Sequence, residues 1–356
     1  MNGQRFDLKE LGWNEFFTSA FDTLGDRDLV PARVCIQHNY LYHVWASQGE
    51  LLSESSGKLR REASGPEELP AVGDWVGVAV NERERKATIR AVLPRRSHFS
   101  RKAAGDPTKK QVVAANIDVV FLVTGLDNDF NPRRIERYLV ASSESGATPV
   151  VILNKADRRD DIDACVDCVR SLNTKVPIHV TSCKSGLGLA VLARYLVVGR
   201  TIALLGSSGT GKSTIINRLL GHERQRTQTV RANDSRGRHT TVHRELIVVP
   251  TGGIIIDTPG MREVRIWDME RALEETFEDI DALAANCHFR DCHHNGEPKC
   301  AVQQAIEDGS LPTQRLNHYH RLHDERTDLD RRLNELAQLE HKHQTKVTSR
   351  PTRKHF

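Results

Sequence analysis

The chain has 356 residues, 38% hydrophobic and 28% charged, with 51 Lys/Arg against 47 Asp/Glu. That length suits two or three domains, and the apolar content is enough for a buried core, which excludes a disordered chain. No apolar run approaches the ~20 residues that cross a bilayer. The start from Met1 to Trp13, carrying Asp7 and Glu10, does not read as a secretory signal, so a cytoplasmic protein without membrane contact is expected.

Residues 1–32 read as an N-terminal extension with a short helix around Trp13 to Phe21. From Arg33 the pattern changes to short alternating runs at Val34–Ile36, Leu41–Trp45, Glu50–Arg60, Trp75–Val80 and Thr88–Leu93. Five such strands within 33–97 predict a small closed barrel. Trp45 and Trp75 are expected in its core rather than as stacking platforms.

Past Val112 the period lengthens. Ile117–Val123, Pro149–Leu153, Ile178–Val180, Thr201–Leu205, Leu246–Val249 and Gly253–Ile256 are apolar runs of the kind buried in a parallel sheet. Between them, Arg133–Ser143, Asp161–Leu172, Leu189–Leu196 and Lys212–Leu220 have helical spacing. The alternation predicts a doubly wound α/β domain over 98–266. After Asp268 the strands stop. Ala272, Leu273, Phe277, Ile280 and Leu283, then Leu316 to Leu336, mark helices of a third domain over 267–345, followed by a basic tail, 346–356.

Net charge is only +4, but it is unevenly spread. Arg83 to Lys110 holds ten Lys/Arg and two acidic residues, and Arg218 to Arg244 seven Arg and two acidic residues. Such clusters suit a polyanion, or simply a solvated basic face. Of seven cysteines, Cys165 and Cys168 read as packing or surface residues.

Gly206-Ser207-Ser208-Gly209-Thr210-Gly211-Lys212-Ser213-Thr214 follows an apolar strand and opens a helix. That is the context of a phosphate loop: glycines let main-chain N–H groups point at phosphates, Lys212 reaches the outer phosphates and Ser213 ligates Mg²⁺. Asn154-Lys155-Ala156-Asp157 follows the strand ending at Leu153 and selects guanine, because the Asp157 carboxylate accepts from two ring-edge donors that adenine lacks. Asn154 holds neighbouring loops and the Lys155 stem covers the base. Ser182-Cys183-Lys184 follows the next strand and looks like the loop that closes over guanine, with Cys183 in place of a smaller residue.

Asp257-Thr258-Pro259-Gly260 ends another strand. Asp257 is placed to hold Mg²⁺ through water, and Gly260 to offer its N–H to the γ-phosphate. Thr240 or Thr241, in Gly237-Arg238-His239-Thr240-Thr241, is a second Mg²⁺ ligand candidate, with the choice between them open. The motif order is circularly permuted: base-recognition loops first, phosphate loop next, switch segments last. Permutation runs the second switch directly into the C-terminal domain. Met261 stands where many GTPases carry a water-positioning glutamine, and a thioether accepts only weakly. That leaves His239 as the candidate to orient or deprotonate water, or alternatively a phosphate- or RNA-facing polar group. Lys212 completes the catalytic pair.

Cys287-x₄-Cys292-x-His294-x₅-Cys300 offers three thiolates and an imidazole for a closed structural zinc site, one ion per chain, with His288 and His293 as competing ligands.

The permuted order, Val72-Gly73-Asp74-Trp75-Val76, Gly237-Arg238-His239-Thr240-Thr241, Asp257-Thr258-Pro259-Gly260 and Phe289-Arg290-Asp291-Cys292 resemble the RsgA (YjeQ/YloQ) family, small-subunit-dependent GTPases of bacterial ribosomes, over about residues 33–310. The resemblance implies an OB-fold barrel, a permuted GTPase domain and a helical zinc domain. It also implies action late in 30S maturation with release on hydrolysis, 16S rRNA contact, and GTP/GDP with Mg²⁺. It favours His294 as the fourth zinc ligand and His239 in catalysis. A monomer is expected. Two other readings stay open at this point: a metabolic P-loop kinase, which needs neither guanine motif nor second switch, and a non-hydrolysing RNA-binding adaptor.

Overall fold

The computed structural model describes residues 5–38, 40–103, 106–127, 129–222, 244–257, 277–289, 291–324, 327 and 331. The chain divides into two compact units, one of residues 1–105 and 109–267, the other of 106–108 and 268–356.

In the first unit, helix α1 (Glu15–Asp22) starts at Asn14, whose side chain accepts the Phe16 N–H. Strands β1 (Leu29–His38), β2 (Leu41–Ala46), β3 (Gly49–Ser55), β4 (Trp75–Asn81) and β5 (Lys86–Val92) pair in the order β1-β2-β3-β5-β4 and close through β4 onto β1. This is the five-stranded OB-type barrel, filled by Val34, Tyr42, Val44, Leu51, Val76, Val78 and Ile89.

Strand β1 starts at Leu29, earlier than the alternation from Val34 indicates, because Leu29 to Arg33 pair with β4. The third strand stops at Ser55 and does not run on to Arg60. Ser56 accepts the Leu59 N–H and caps helix α2 (Gly57–Glu62), so an N-cap overrides the extended pattern there. Trp75 is buried; Trp45 is half-buried and stacks on Phe6 at 5.1 Å.

A hairpin of β6 (His98–Ala103) and β7 (Asp106–Ala115) leads into the α/β half. There, parallel strands β8 (Val119–Gly125), β9 (Thr148–Asn154), β10 (Ile178–Val180), β11 (Thr201–Leu205) and β13 (Ile254–Asp257) alternate with α3 (Pro132–Ser145), α4 (Ile162–Leu172), α5 (Leu189–Ala193) and α6 (Lys212–Leu220). Strand β12 (Arg244–Val248) adds antiparallel to β13. Helix α3 is bounded by an Asn131 cap and by Gly146 in the left-handed region, φ 80°. Cys165 is buried on α4 and Cys168 half-buried, without a disulfide.

The barrel and the α/β half share one sheet of eleven strands, ordered β10-β9-β8-β11-β13-β12-β1-β2-β3-β5-β4. The joint is β1 against β12, with Ile36 opposite Glu245 and Gln37 opposite Arg244.

A second joint centres on Arg33, only 1% exposed. Its guanidinium donates to the carbonyls of Leu11, Gly73 and Asn116 and to Thr201 Oγ1, the last at 2.9 Å, and lies 5.6 Å from the Trp75 ring centre. One side chain thus fastens the N-terminal segment, the barrel and the first residue of β11. Burial lowers its pKa to about 10. The neighbouring motif has its own reasons. Gly73, φ 94°, lies where a Cβ would be 2.1 Å from the Ala115 oxygen, and Asp74, fully buried, takes two hydrogen bonds from Arg95 at 2.8 and 2.7 Å.

In the second unit, α7 (Glu278–Ala284), α8 (Ala301–Glu307) and a helix α9 over 313–324 surround the cysteine cluster. The buried Arg315 pairs with Asp279 through two bonds of 2.9 Å and stacks over Phe277. Ala272, Leu273 and nearly all of the expected helix past residue 324 lie outside the described residues.

Candidate functional site

The site forms where β9, β10, β11 and β13 end, the edge at which open α/β sheets bind ligands. β11 delivers the chain into the loop Gly206–Gly211. Gly206 and Gly211 are obligatory there: a Cβ on Gly206 would stand 2.2 Å from the Val123 oxygen, and one on Gly211 2.3 Å from Asn154 Nδ2. Gly211 holds φ 100° at the head of α6. Lys212, the first helical residue, turns back across the loop and donates to the oxygens of Gly206 at 2.7 Å and Ser207 at 2.5 Å. Thr210 Oγ1 donates to the Ser207 oxygen. Ser213 and Thr214 stand half-buried in the first turn of α6. One loop thus gathers an ammonium, hydroxyl-bearing residues and a helix N-terminus, a set that suits a polyphosphate.

Asn154, at the end of β9, ties the loops together. Its Nδ2 donates to the Thr210 oxygen at 2.9 Å, and its Oδ1 accepts from Thr181 Oγ1 at 3.2 Å and from Cys183 Sγ at 3.6 Å. It is buried, so these bonds are needed to offset its desolvation. Lys155 follows in the left-handed region, φ 64°. Ala156 donates its N–H to the Thr181 oxygen. Asp157 is exposed and accepts from Ser182 Oγ at 2.5 Å; that bond holds its carboxyl below the usual range. Cys183 is buried in the core shared with Leu192 and Ile215, and burial pushes its thiol up. Lys184 is exposed.

Asp257 ends β13, the parallel neighbour of β11, with Ala203 opposite Ile256. The four segments carrying Asn154, Ser182, Gly206 and Asp257 therefore leave parallel strands of one sheet at the same end, β10 and β9 on one side of β8 and β11 and β13 on the other. Gly260, His239, Thr240 and Thr241 lie outside the described residues. Asp127 was not among the residues singled out from the sequence, yet its Oδ2 is 2.5 Å from Lys155 Nζ. The available signal was an aspartate just past an apolar strand, as at Asp157 and Asp257.

In the second unit, one ligand atom from each of Cys287, Cys292, His294 and Cys300 lies within 4.8 Å of all the others. Cys287 Sγ is 3.6 Å from His294 Nδ1 and 3.8 Å from Cys300 Sγ, and His294 Nδ1 is 3.4 Å from Cys300 Sγ. Zn–S bonds of ~2.3 Å give tetrahedron edges of ~3.8 Å, so the donors fit. His294 and Lys299 sit at φ 57° and 60°. Glu297 braces the turn by accepting the N–H groups of His293 and Asn295, and Gln303 Nε2 donates to the His294 oxygen. Among the described residues, His288 and His293 do not join the cluster.

A phosphate loop, two base-recognition loops and a strand-end aspartate on one sheet edge, in this chain order, define a circularly permuted GTPase. A family model described as RsgA GTPase matches residues 92–267, and one described as 50S ribosome-binding GTPase matches 201–345. The chain is 46% identical over 335 residues to "Small ribosomal subunit biogenesis GTPase RsgA" of Opitutus terrae, covering 92% of this chain and 91% of that protein. It is 43% identical over 321 residues to the protein of the same description from Syntrophotalea carbinolica, covering 88% of each. Among solved structures, YjeQ from Thermotoga maritima superposes with TM-score 0.63 at 26% identity, covering 83% of this chain and 98% of that one. YloQ, described as a circularly permuted GTPase, gives 0.60 at 24%, covering 86% and 96%. The chain belongs to the RsgA GTPase family and is a GTP hydrolase. Among the described residues no helix is long and apolar enough to cross a membrane.

Proposed function

We propose that this GTPase binds the small ribosomal subunit through 16S rRNA, hydrolyses GTP late in subunit maturation and leaves on hydrolysis. The observation that supports the reading most is the shared sheet. The barrel, a fold that binds nucleic acid, is hydrogen-bonded through β1 to β12, the strand that follows the segment carrying His239, Thr240 and Thr241. Contact on the barrel then reaches the switch through one ladder of main-chain bonds.

In this reading Asp157 pairs with the guanine edge, Lys212 and the loop N–H groups from Gly206 to Thr214 hold the phosphates, and Lys184 flanks the base. Ser213 and Asp257, with Thr240 or Thr241, would hold Mg²⁺, which neutralises phosphate charge when bound. His239 orients or deprotonates the attacking water, and Gly260 offers its N–H to the γ-phosphate. Cys287, Cys292, His294 and Cys300 would hold one structural zinc ion, whose four protein ligands leave no open position for catalysis. The protein works in the cytoplasm as a monomer.

The test is GTP turnover alone and with 30S, 50S or 70S particles at two salt concentrations. Turnover should be slow alone, rise at least about tenfold with 30S, and lose most of that rise at high salt as counterions compete for the rRNA phosphates. Equal turnover in all conditions at low salt would overturn the proposal.

A further inference from the structure

The loop after β8 grips the base-recognition loop after β9. Asp127 Oδ2 is 2.5 Å from Lys155 Nζ and 3.9 Å from Arg158 Nη1, while Asp127 Oδ1 accepts the Asp129 N–H at 3.2 Å. Three residues on, the Arg159 guanidinium lies 5.3 Å from the centre of the Phe130 ring. The described residues of the gripping loop are bonded in turn. Leu126 donates its N–H to the Asn154 oxygen at 2.7 Å, Phe130 to the Asp127 oxygen at 3.1 Å, and Arg134 pairs with Asp129 at 2.8 Å.

Gly125 leaves the space for this contact. A Cβ there would meet Asp127 Oδ1 at 2.6 Å and Lys155 Cδ at 3.5 Å. The Lys155 stem therefore runs over Gly125 on its way to the carboxylate.

We propose that Asp127 is a positioning residue of the nucleotide site. It clamps the Lys155 ammonium so that the methylene stem stands fixed as a wall for the guanine ring, and it leaves recognition of the base edge to Asp157. This rests on the guanine-site reading above. A free lysine stem must lose its rotamer freedom when nucleotide arrives. A stem already clamped does not, so the clamp tightens nucleotide binding without touching the reacting phosphates. GTP and GDP should benefit alike.

Calorimetric titration of GDP and ADP into the full-length protein tests this with Asp127→Ala, Asp127→Glu, Lys155→Met and the double variant Asp127→Ala/Lys155→Met. Asp127→Ala should weaken GDP about tenfold, as loss of a half-exposed charged hydrogen bond does. Asp127→Glu should recover most of that loss. Preference for GDP over ADP should persist in Asp127→Ala, and the melting temperature without nucleotide should stay near wild type. On the Lys155→Met background, Asp127→Ala should cost less than about twofold, because the group it acts through is gone. Affinity in Asp127→Ala within about twofold of wild type, or equal losses on both backgrounds, would overturn the clamp while leaving the guanine site standing. A wild-type protein that binds ADP as tightly as GDP would overturn both.

Discussion

Asp157 combines exposure with a fixed orientation: it is open to solvent, yet Ser182 Oγ holds one carboxylate oxygen at 2.5 Å and keeps the group ionised below the usual carboxyl range. Its pKa is depressed, so its contribution to guanine binding should be complete at neutral pH and fade only as pH falls through that lowered value. Asp157→Asn should weaken GTP roughly a hundredfold and favour xanthosine triphosphate, whose extra carbonyl suits an amide donor. Competition binding of the two nucleotides checks this, and unchanged GTP preference would remove Asp157 from base recognition. His239 has a different expectation, carried by its place in the sequence. His239→Ala should leave GTP affinity intact and cut 30S-stimulated turnover about a hundredfold or more. Single-turnover kinetics with 30S present would show it; undiminished turnover would rule out the water-orienting role.

At the scale of elements, the sequence reveals most where one cause dominates. The buried strands at Val119–Gly125, Thr148–Asn154 and Thr201–Leu205 announce themselves as continuous apolar runs, and the phosphate loop announces itself by glycines that have no alternative. The β6–β7 hairpin was not legible. Its segment, from His98 to Ala115, mixes Lys, Arg and small residues with no clean period of two, and it is held by pairing. Helix α2 was hidden because its cap, Ser56, follows directly on a genuine strand. The pairings of Arg33 and Asp127 were hidden for another reason, although the place of Asp127 just past an apolar strand was itself a signal. Their partners Thr201 and Lys155 lie 168 and 28 positions away, and no local pattern reports such contacts.

The cysteine cluster was legible from spacing, and the fold adds why it closes: His294 and Lys299 take left-handed backbone to turn the chain around the four donors. Purified protein should carry about one zinc per chain, and Cys292→Ala should lose the metal and unfold the helices around it, since binding and folding are coupled. Elemental analysis with limited proteolysis checks both. A variant that loses no metal, or metal-free wild type with that unit still folded, would contradict the assignment.

Over the whole molecule, one sheet carries both halves of the proposed cycle. Its α/β end binds nucleotide, its barrel end suits RNA, and the β1–β12 ladder and Arg33 join the two. The proposed second switch, from Asp257, is followed in sequence by the cysteine-bearing unit. In the proposed cycle, nucleotide state and subunit affinity are therefore two readings of one equilibrium, linked as any pair of coupled sites must be. Co-sedimentation of the protein with 30S subunits tests this most directly, with a non-hydrolysable GTP analogue in one arm and GDP in the other, at matched salt. Retention should be at least about tenfold greater with the analogue, within the usual range of coupling between sites. Equal retention with both nucleotides would contradict release on hydrolysis.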